Sequence, residues 1–93
     1  MIVGVLQIEL EVPEAQSLKD KRMVLRRIKD RLRPLNVAVA EVAHQDLWQR
    51  AGLGIVTVAT DDEGAGTMLT AALDEIERLE PGLVTAHQLE YLR

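Results

Sequence analysis

The sequence predicts an α+β sandwich in the order β-α-β-β-α-β, with a four-stranded antiparallel sheet and both helices on one face. Three observations predict it: four segments with strand-like alternation or β-branched composition, two segments with helical spacing of apolar residues, and the order of these segments. Right-handed crossovers place the first and third strands in the centre of the sheet. We therefore expect one ferredoxin-like domain over residues 1–93, a length that suits a single core.

The first strand and first helix are marked by periodicity and by their end residues. Residues 2–12 alternate between two faces, and the proline that follows ends the strand. Ser17 is a helix N-cap with a capping-box-like partner three residues later, Asp20. The helix is predicted to run to about Arg33, where Pro34 stops it.

The second half of the chain repeats the pattern with two strands before the helix. Residues 36–44 and 51–60 are rich in β-branched residues, and the short polar segment between them suits a hairpin connection. Asp61 and Asp62 offer N-caps to a second helix, whose apolar residues recur at helical spacing. A Pro-Gly pair ends that helix, and residues 83–92 supply the last strand.

Positive charge is concentrated in the first helix. The whole chain has a net charge of −4, but residues 17–34 hold eight of its eleven basic side chains and only two acids, a local charge of +6. The remainder, with three basic and thirteen acidic residues, carries −10. Because a ligand feels the local field, this segment is a candidate surface for a polyanion despite the acidic isoelectric point.

Five of these cations fall within an arc of about 80° on the helical wheel, beside the apolar side of the helix. We call them the basic ridge: Lys19, Arg22, Arg26, Lys29 and Arg33. Lys21 lies on the apolar side of the helix instead, and Arg27 and Arg31 lie elsewhere. The ridge is either a solvated face that pairs with nearby acids or a nucleic-acid-binding surface. The second interpretation is favoured because like charges at this spacing repel each other unless a polyanion neutralises them.

The composition restricts what the ridge could recognise. The chain has no phenylalanine, one tryptophan and one tyrosine, so its sheet cannot present the aromatic platform on which RNA-recognition motifs stack bases. Glu9 and Glu11 at the end of the first strand would repel a phosphate backbone there. We therefore expect contacts with an RNA backbone or shape, with rRNA or ribosomal subunits as partners and no reading of a DNA sequence.

The hairpin connection carries the densest set of functional groups in the chain. We call residues 44–50 the interaction loop, with candidate residues His44, Gln45, Asp46, Trp48, Gln49 and Arg50. A structural interpretation has Asp46 capping the turn, Trp48 covering the end of the core and Arg50 pairing with an acid. A functional interpretation makes the loop a recognition element, since Trp and Arg are preferred interface anchors. A small-molecule sensor or enzyme built on His44, Asp46 and Arg50 is a further alternative. No nucleophile or oxyanion-forming glycine turn accompanies the cluster, so no catalytic residue is expected.

Two motifs give the chain a family resemblance. Residues 17–22 read SLKDKR, residues 41–50 read EVAHQDLWQR, and both resemble the YlxP-like bacterial proteins of domain-of-unknown-function family 503 (DUF503). The resemblance spans essentially the whole chain. It implies a ferredoxin-like domain without an established activity. It also implies a role linked to the ribosome or to RNA, because members commonly lie in gene neighbourhoods with translation initiation and ribosome-maturation factors.

Other constellations point to no further chemistry. The acids at 61–63 are explained by helix capping and the helix dipole, and the only histidines, His44 and His87, lie on separate strands, so no metal or other cofactor is expected. The segment after the first strand lacks the glycine-bearing anion loop and arginine of an acylphosphatase.

Neither a signal peptide nor a membrane-spanning run is found, and no cysteine is present, which predicts a cytoplasmic protein without membrane contact.

A homodimer or protein-interaction module is the alternative to RNA binding. Four valines are expected on the sheet face that the helices leave uncovered: Val3, Val5, Val37 and Val39. An apolar face of this kind would be buried in an assembly, and the basic ridge would then be incidental.

Overall fold

The chain forms the six predicted elements, as seen in a computed structural model that describes residues 1–93. They are strand β1 Ile2–Glu11, helix α1 Leu18–Leu32, strand β2 Ala38–Ala43, strand β3 Arg50–Ala59, helix α2 Asp62–Leu79 and strand β4 Val84–Leu92. The strands form one antiparallel sheet in the order β2-β3-β1-β4. The predicted fold class is therefore confirmed, with β1 and β3 at the centre of the sheet.

The core lies between the sheet and the two helices. On β1 the side chains of Leu6 and Ile8 face the helices, and their cross-strand partners on β3, Ile55 and Leu53, are equally buried. Apolar residues at helical spacing on α1 and α2 complete one cluster of twelve buried residues. Burial of this cluster is what holds both helices on the same face of the sheet.

The helix ends form as the sequence predicts. The Ser17 hydroxyl accepts a hydrogen bond from the Asp20 amide at 3.0 Å, and the Asp20 carboxylate accepts one from the Gln16 amide at 3.0 Å. The Asp61 carboxylate likewise accepts from the Gly64 amide at the start of α2, at 2.7 Å. These bonds satisfy amides that have no partner inside the helix. Neither helix has the length and apolar content needed to cross a membrane.

The prediction that Val37 and Val39 lie on the helix-free face is wrong. Val39 pairs with the fully buried Ile55, so its side chain points toward the helices, and both valines pack against the core cluster. Val3 and Val5 do lie on the helix-free face, because they alternate with the buried side chains of β1. Local alternation shows which residues share a face of a strand, whereas pairing with β3 decides which face is buried.

Candidate nucleic-acid interface and the adjoining loop

The five side chains of the basic ridge are all exposed and lie along one side of α1. From Lys19 to Arg33 the ridge spans fifteen residues, which is about 21 Å along the helix axis. Lys19, Arg22, Arg26 and Lys29 form no ion pair and no side-chain hydrogen bond, while Arg33 pairs with Asp30 on the same helix at 2.8 Å. Four cations are thus left facing solvent without an acidic partner.

The other three cations of α1 are all paired with acids from elsewhere in the chain. Arg27 donates to Glu80 at 2.7 Å and Arg31 to Glu75 at 3.4 Å, which ties α1 to the end of α2. The third cation, Lys21, forms a 2.8 Å ion pair with an acid of β2. The free positive charge of the helix is therefore confined to the basic ridge.

A groove separates the basic ridge from β2, one of the two edge strands of the sheet. Its volume is about 300 Å³. Its lining consists of Arg22, Leu25, Arg26, Lys29, Asp30, Arg33 and Glu41. A second hollow of about 230 Å³ adjoins it and runs past Leu32, Val37 and Val39. Both acids of the groove are already paired with cations, so the free charge along it is positive.

Lys21 joins α1 to the interaction loop. Its side chain is only 1% exposed, and its Nζ lies 2.8 Å from a carboxylate oxygen of Glu41. The same ammonium donates to the backbone carbonyls of His44 at 2.9 Å, Arg50 at 3.2 Å and Gln45 at 3.4 Å. A buried ammonium needs such partners because burial removes its water. Lys21 therefore fixes both ends of the loop against the first turn of α1.

The wheel placed Lys21 on the apolar side of the helix, which is correct, but sequence reasoning missed its role. The available signal was a lysine at a core position, since a buried charge requires a cluster of acceptors. Glu41, which shares one side of β2 with Val39, was a second such signal. Neither signal could name the loop carbonyls, because those contacts are 23 to 29 residues away in sequence.

Gln49 attaches the interaction loop to the segment that follows β1. The Gln49 side-chain amide donates to the backbone carbonyls of Pro13 at 3.2 Å and Ala15 at 3.1 Å. The backbone carbonyl of Gln49 accepts a hydrogen bond from the Val12 amide at 2.9 Å. Lys21 therefore brings the two DUF503-like motifs into direct contact. Gln49 adds a separate attachment of the loop, to the segment after β1.

Two predictions of the structural interpretation of the loop are wrong. Trp48 is 53% exposed and does not cover the end of the core, and neighbouring Leu47 is 45% exposed. The Asp46 side chain forms no hydrogen bond and so does not cap the turn. The third prediction is confirmed, because Arg50 pairs with Glu9 at 3.7 Å. The loop therefore presents an apolar pair of side chains on a well-anchored backbone.

His44 interacts with Glu9 and not with Asp46. The His44 Nε2 lies 3.1 Å from a Glu9 carboxylate oxygen, and the residue has φ 62°, a left-handed conformation that is uncommon outside glycine. The cluster that forms is thus His44, Glu9 and Arg50. Glu9, which was expected to repel phosphate, has the His44 ring and the Arg50 guanidinium beside it.

The acidic start of α2 is explained within the chain. Asp61 is the N-cap, and Asp62 pairs with Arg93. The hydrogen bond from Arg93 to Asp62, together with the negative charge of Asp62, raises the pKa of Arg93. Capping and pairing account for two of the three acids at this position.

With this geometry established, comparison with known proteins decides the family. The profile of DUF503, described as a protein of unknown function, matches residues 3–88. The chain belongs to the DUF503 family. It is 40% identical over 60 residues to the uncharacterized protein YlxP of Bacillus subtilis (strain 168). That alignment covers 63% of this chain and 65% of YlxP, just under two thirds of the relative's length.

Solved structures similar to this DUF503 protein show its fold. The designed protein Ferredog-Diesel aligns with 98% of this chain and 84% of its own, at a TM-score of 0.59 and 12% identity. The designed protein LFR1 1, described as having a ferredoxin fold, covers 99% of this chain and 83% of its own, at a TM-score of 0.53 and 14% identity. Both likenesses establish the ferredoxin-like architecture and nothing about activity.

Proposed function

We propose that this DUF503 protein is a non-catalytic RNA-binding protein that contacts backbone phosphates with its basic ridge, and that ribosomal RNA is its partner. The observation that carries the proposal is the division of charge on α1. Four of the five ridge cations have no acidic partner, whereas every other cation of the helix has one. Cations without partners are available to a ligand without breaking a contact of the fold.

Electrostatics favours a polyanion over a single anion. Ridge cations three and four residues apart repel their neighbours by a few tenths of a kcal/mol each, and phosphates along an RNA strand would relieve several repulsions together. The rest of the chain carries −10, including exposed acids on α2. This charge asymmetry orients the protein so that the ridge faces an approaching polyanion and the acidic surface faces away from it.

The mode of recognition is contact with the backbone or the shape of the RNA. The helix-free face carries valines on β1 and β3, and the chain contains only one tryptophan and one tyrosine. Base stacking on the sheet is therefore not part of the proposal. The translation-linked role that the family resemblance implies is consistent with an RNA partner.

The salt dependence of binding tests the proposal. We expect co-sedimentation with ribosomal subunits, and binding to rRNA fragments, to weaken with salt at a log–log slope of about −3 to −3.5 for four phosphate contacts. Arg22→Ala and Arg26→Ala should each reduce the steepness of that slope by about one unit. Arg27→Ala and Arg31→Ala are the matched controls, because they remove the same charge from the paired side of the same helix.

The control variants distinguish RNA binding at the basic ridge from nonspecific electrostatic attraction between RNA and any cation of the protein. If the paired-side variants reduce the slope as much as the ridge variants, the ridge is not the binding surface. Absent binding, or binding that does not change with salt, would overturn the proposal altogether.

The interaction loop supplies a second contact in the same proposal. Its exposed Trp48 lies on a backbone that Lys21 connects to the start of the ridge. Trp48→Ala should weaken ribosome binding at every salt concentration while leaving the slope unchanged, because an apolar or stacking contact releases no counterions. Unchanged affinity in this variant would restrict the binding surface to the ridge.

A further inference from the structure

The groove between the basic ridge and β2 has two walls of different chemistry. One wall carries four cations of the ridge, which are Arg22, Arg26, Lys29 and Arg33. The other wall is β2, which pairs with β3 on one side and with no strand on the other. The outward backbone amides and carbonyls of β2 therefore have no partner within the chain. Backbone amides, like lysine and arginine side chains, donate hydrogen bonds to phosphate oxygens, so both walls suit a nucleic-acid backbone.

The cations along the groove form a straight line because they lie on one helix. Consecutive ridge cations are three or four residues apart, so they rise by about 4.5 or 6 Å along the helix axis. In a nucleic-acid duplex each strand turns around the axis by roughly 35° per nucleotide, and its phosphates leave a straight line after two or three nucleotides. An unpaired strand has no such fixed winding and follows the whole line. The geometry therefore favours an unpaired strand over a duplex.

The apolar lining at one end of the groove favours an unpaired strand as well. The groove has a volume of about 300 Å³, and the adjoining hollow of about 230 Å³ is lined by Leu32, Val37 and Val39 beside two ridge cations. These side chains suit a ribose or an unstacked base, which an unpaired strand exposes and a duplex does not. A duplex, whose major groove alone is about 12 Å wide, would rest on the rims of both hollows.

The edge of β2 is a poor template for a peptide, the other extended ligand that a strand edge accepts. The strand is only six residues long, and its register with β3 shifts between Glu41 and Ala43. Glu41 also points inward, where it pairs with Lys21. Short edge strands, bulges and inward-pointing charges are features by which proteins prevent the addition of a further strand. An acidic peptide would meet the cations of the groove but would not extend the sheet.

We propose that the groove binds one unpaired RNA strand, with its phosphates along the ridge and its riboses or bases toward β2. The inference rests on the RNA binding proposed above and names the form of RNA that this surface accepts. Contact with four phosphates corresponds to about five nucleotides, near the lower end of the range for single-strand binding sites. The interaction loop, which Lys21 holds against the first turn of α1, presents the exposed Trp48 as an additional stacking surface.

Fluorescence anisotropy on two labelled RNAs tests the inference. One probe is an unstructured oligo(U) of about twelve nucleotides, and the other is the same strand annealed to oligo(A). At low salt we expect oligo(U) to bind at least about tenfold more tightly, because one ordered base contributes about that factor. Charge alone predicts the reverse, since a duplex has the higher phosphate density and releases more counterions for each phosphate that is neutralised. Equal or tighter binding of the duplex overturns the inference.

Substitutions on β2 test whether the RNA strand lies in the groove. Val39→Lys adds a cation to the wall opposite the ridge, so it should tighten oligo(U) binding and steepen the salt dependence by about one phosphate contact. Ala40→Lys is the matched control, because it adds the same charge to the same strand but on the opposite, exposed face. A gain in affinity does not arise from misfolding. If the two lysines have equal effects, the RNA strand does not lie in the groove.

The remaining outcomes distinguish failure of this inference from failure of RNA binding itself. If both RNAs bind equally and Arg22→Ala weakens both, the ridge binds RNA without preference for an unpaired strand. If neither RNA binds, the proposed function fails and this inference fails with it. Poly-glutamate of the same charge is the final probe. If it displaces labelled oligo(U) as efficiently as unlabelled oligo(U) does, the groove accepts any extended polyanion and the assignment to RNA is wrong.

Discussion

The two sides of α1 use the same residue types for different purposes. On one side, Lys21, Arg27 and Arg31 are each bound to an acid from another element. On the other side, the basic ridge contains four cations with no acidic partner. The helix is thus divided lengthwise into a side that holds the fold together and a side that contributes little to it.

This division shows why the number of charges on a helix is a poor guide to function. A count over α1 and its flanks gives eight cations, but four of them are already paired with acids of the same chain. The arrangement of partners identifies the cations that remain for a ligand. It also predicts that stability and binding can be changed separately, by substitutions on opposite sides of one helix.

The largest expected effect is on stability, from Lys21→Met. Methionine fills similar space but leaves Glu41 and the carbonyls of His44 and Arg50 without their ammonium donor. Breaking a buried ion pair by removing one partner costs about 3 to 5 kcal/mol, so the free energy of unfolding should fall by about 3 kcal/mol, given that Glu41 keeps some solvent contact. Urea denaturation measures it.

The matched control for this variant is Lys19→Met, two residues earlier on the exposed ridge. Its free energy of unfolding should stay within about 0.5 kcal/mol of wild type. If the two variants prove equally stable, the contacts of Lys21 do not stabilise the interaction loop, and Gln49 alone attaches the loop to the rest of the protein.

The sequence was sufficient to predict the elements of the fold because their signals are local. Alternation in β1, helical spacing in α1 and the caps at Ser17 and Asp61 each depend on a few neighbouring residues, and all six elements have the predicted order. The basic ridge was predictable for the same reason. A helical wheel needs only the position of each residue along one helix.

Contacts between distant segments were not predictable. The alternative that grouped His44 with Asp46 is wrong, because His44 lies against Glu9, which is 35 residues away. The faces of Val37 and Val39 were predicted wrongly because β2 alternates Val with Ala, so both of its faces are apolar until the pairing with β3 is known. The structural interpretation of the loop placed Trp48 over the end of the core, as large aromatic residues are usually buried, but its exposure depends on how the loop is anchored.

A smaller effect on stability is expected on the side of α1 that faces α2. Arg27→Ala and Arg31→Ala each remove one partly exposed ion pair. Such pairs contribute about 0.2 to 1 kcal/mol, so each variant should lose about 0.5 kcal/mol of stability, and the loss should diminish at high salt because the pairs are screened. Thermal unfolding at low and high salt measures both quantities. A loss as large as that of Lys21→Met would show that these arginines are structurally essential.

The smallest effect, and one of opposite sign, is expected on the ridge. Arg22→Ala, Arg26→Ala and Lys29→Ala remove cations that repel each other and support no contact of the fold. Each should leave stability within about 0.5 kcal/mol of wild type. The triple variant should be slightly more stable at low salt, because it removes repulsions of a few tenths of a kcal/mol between neighbours. Added salt should raise the unfolding temperature of wild type more than that of the triple variant, since wild type has more repulsion to screen. If the triple variant is clearly destabilised, ridge cations make stabilising contacts, and the separation between the two sides of α1 does not hold.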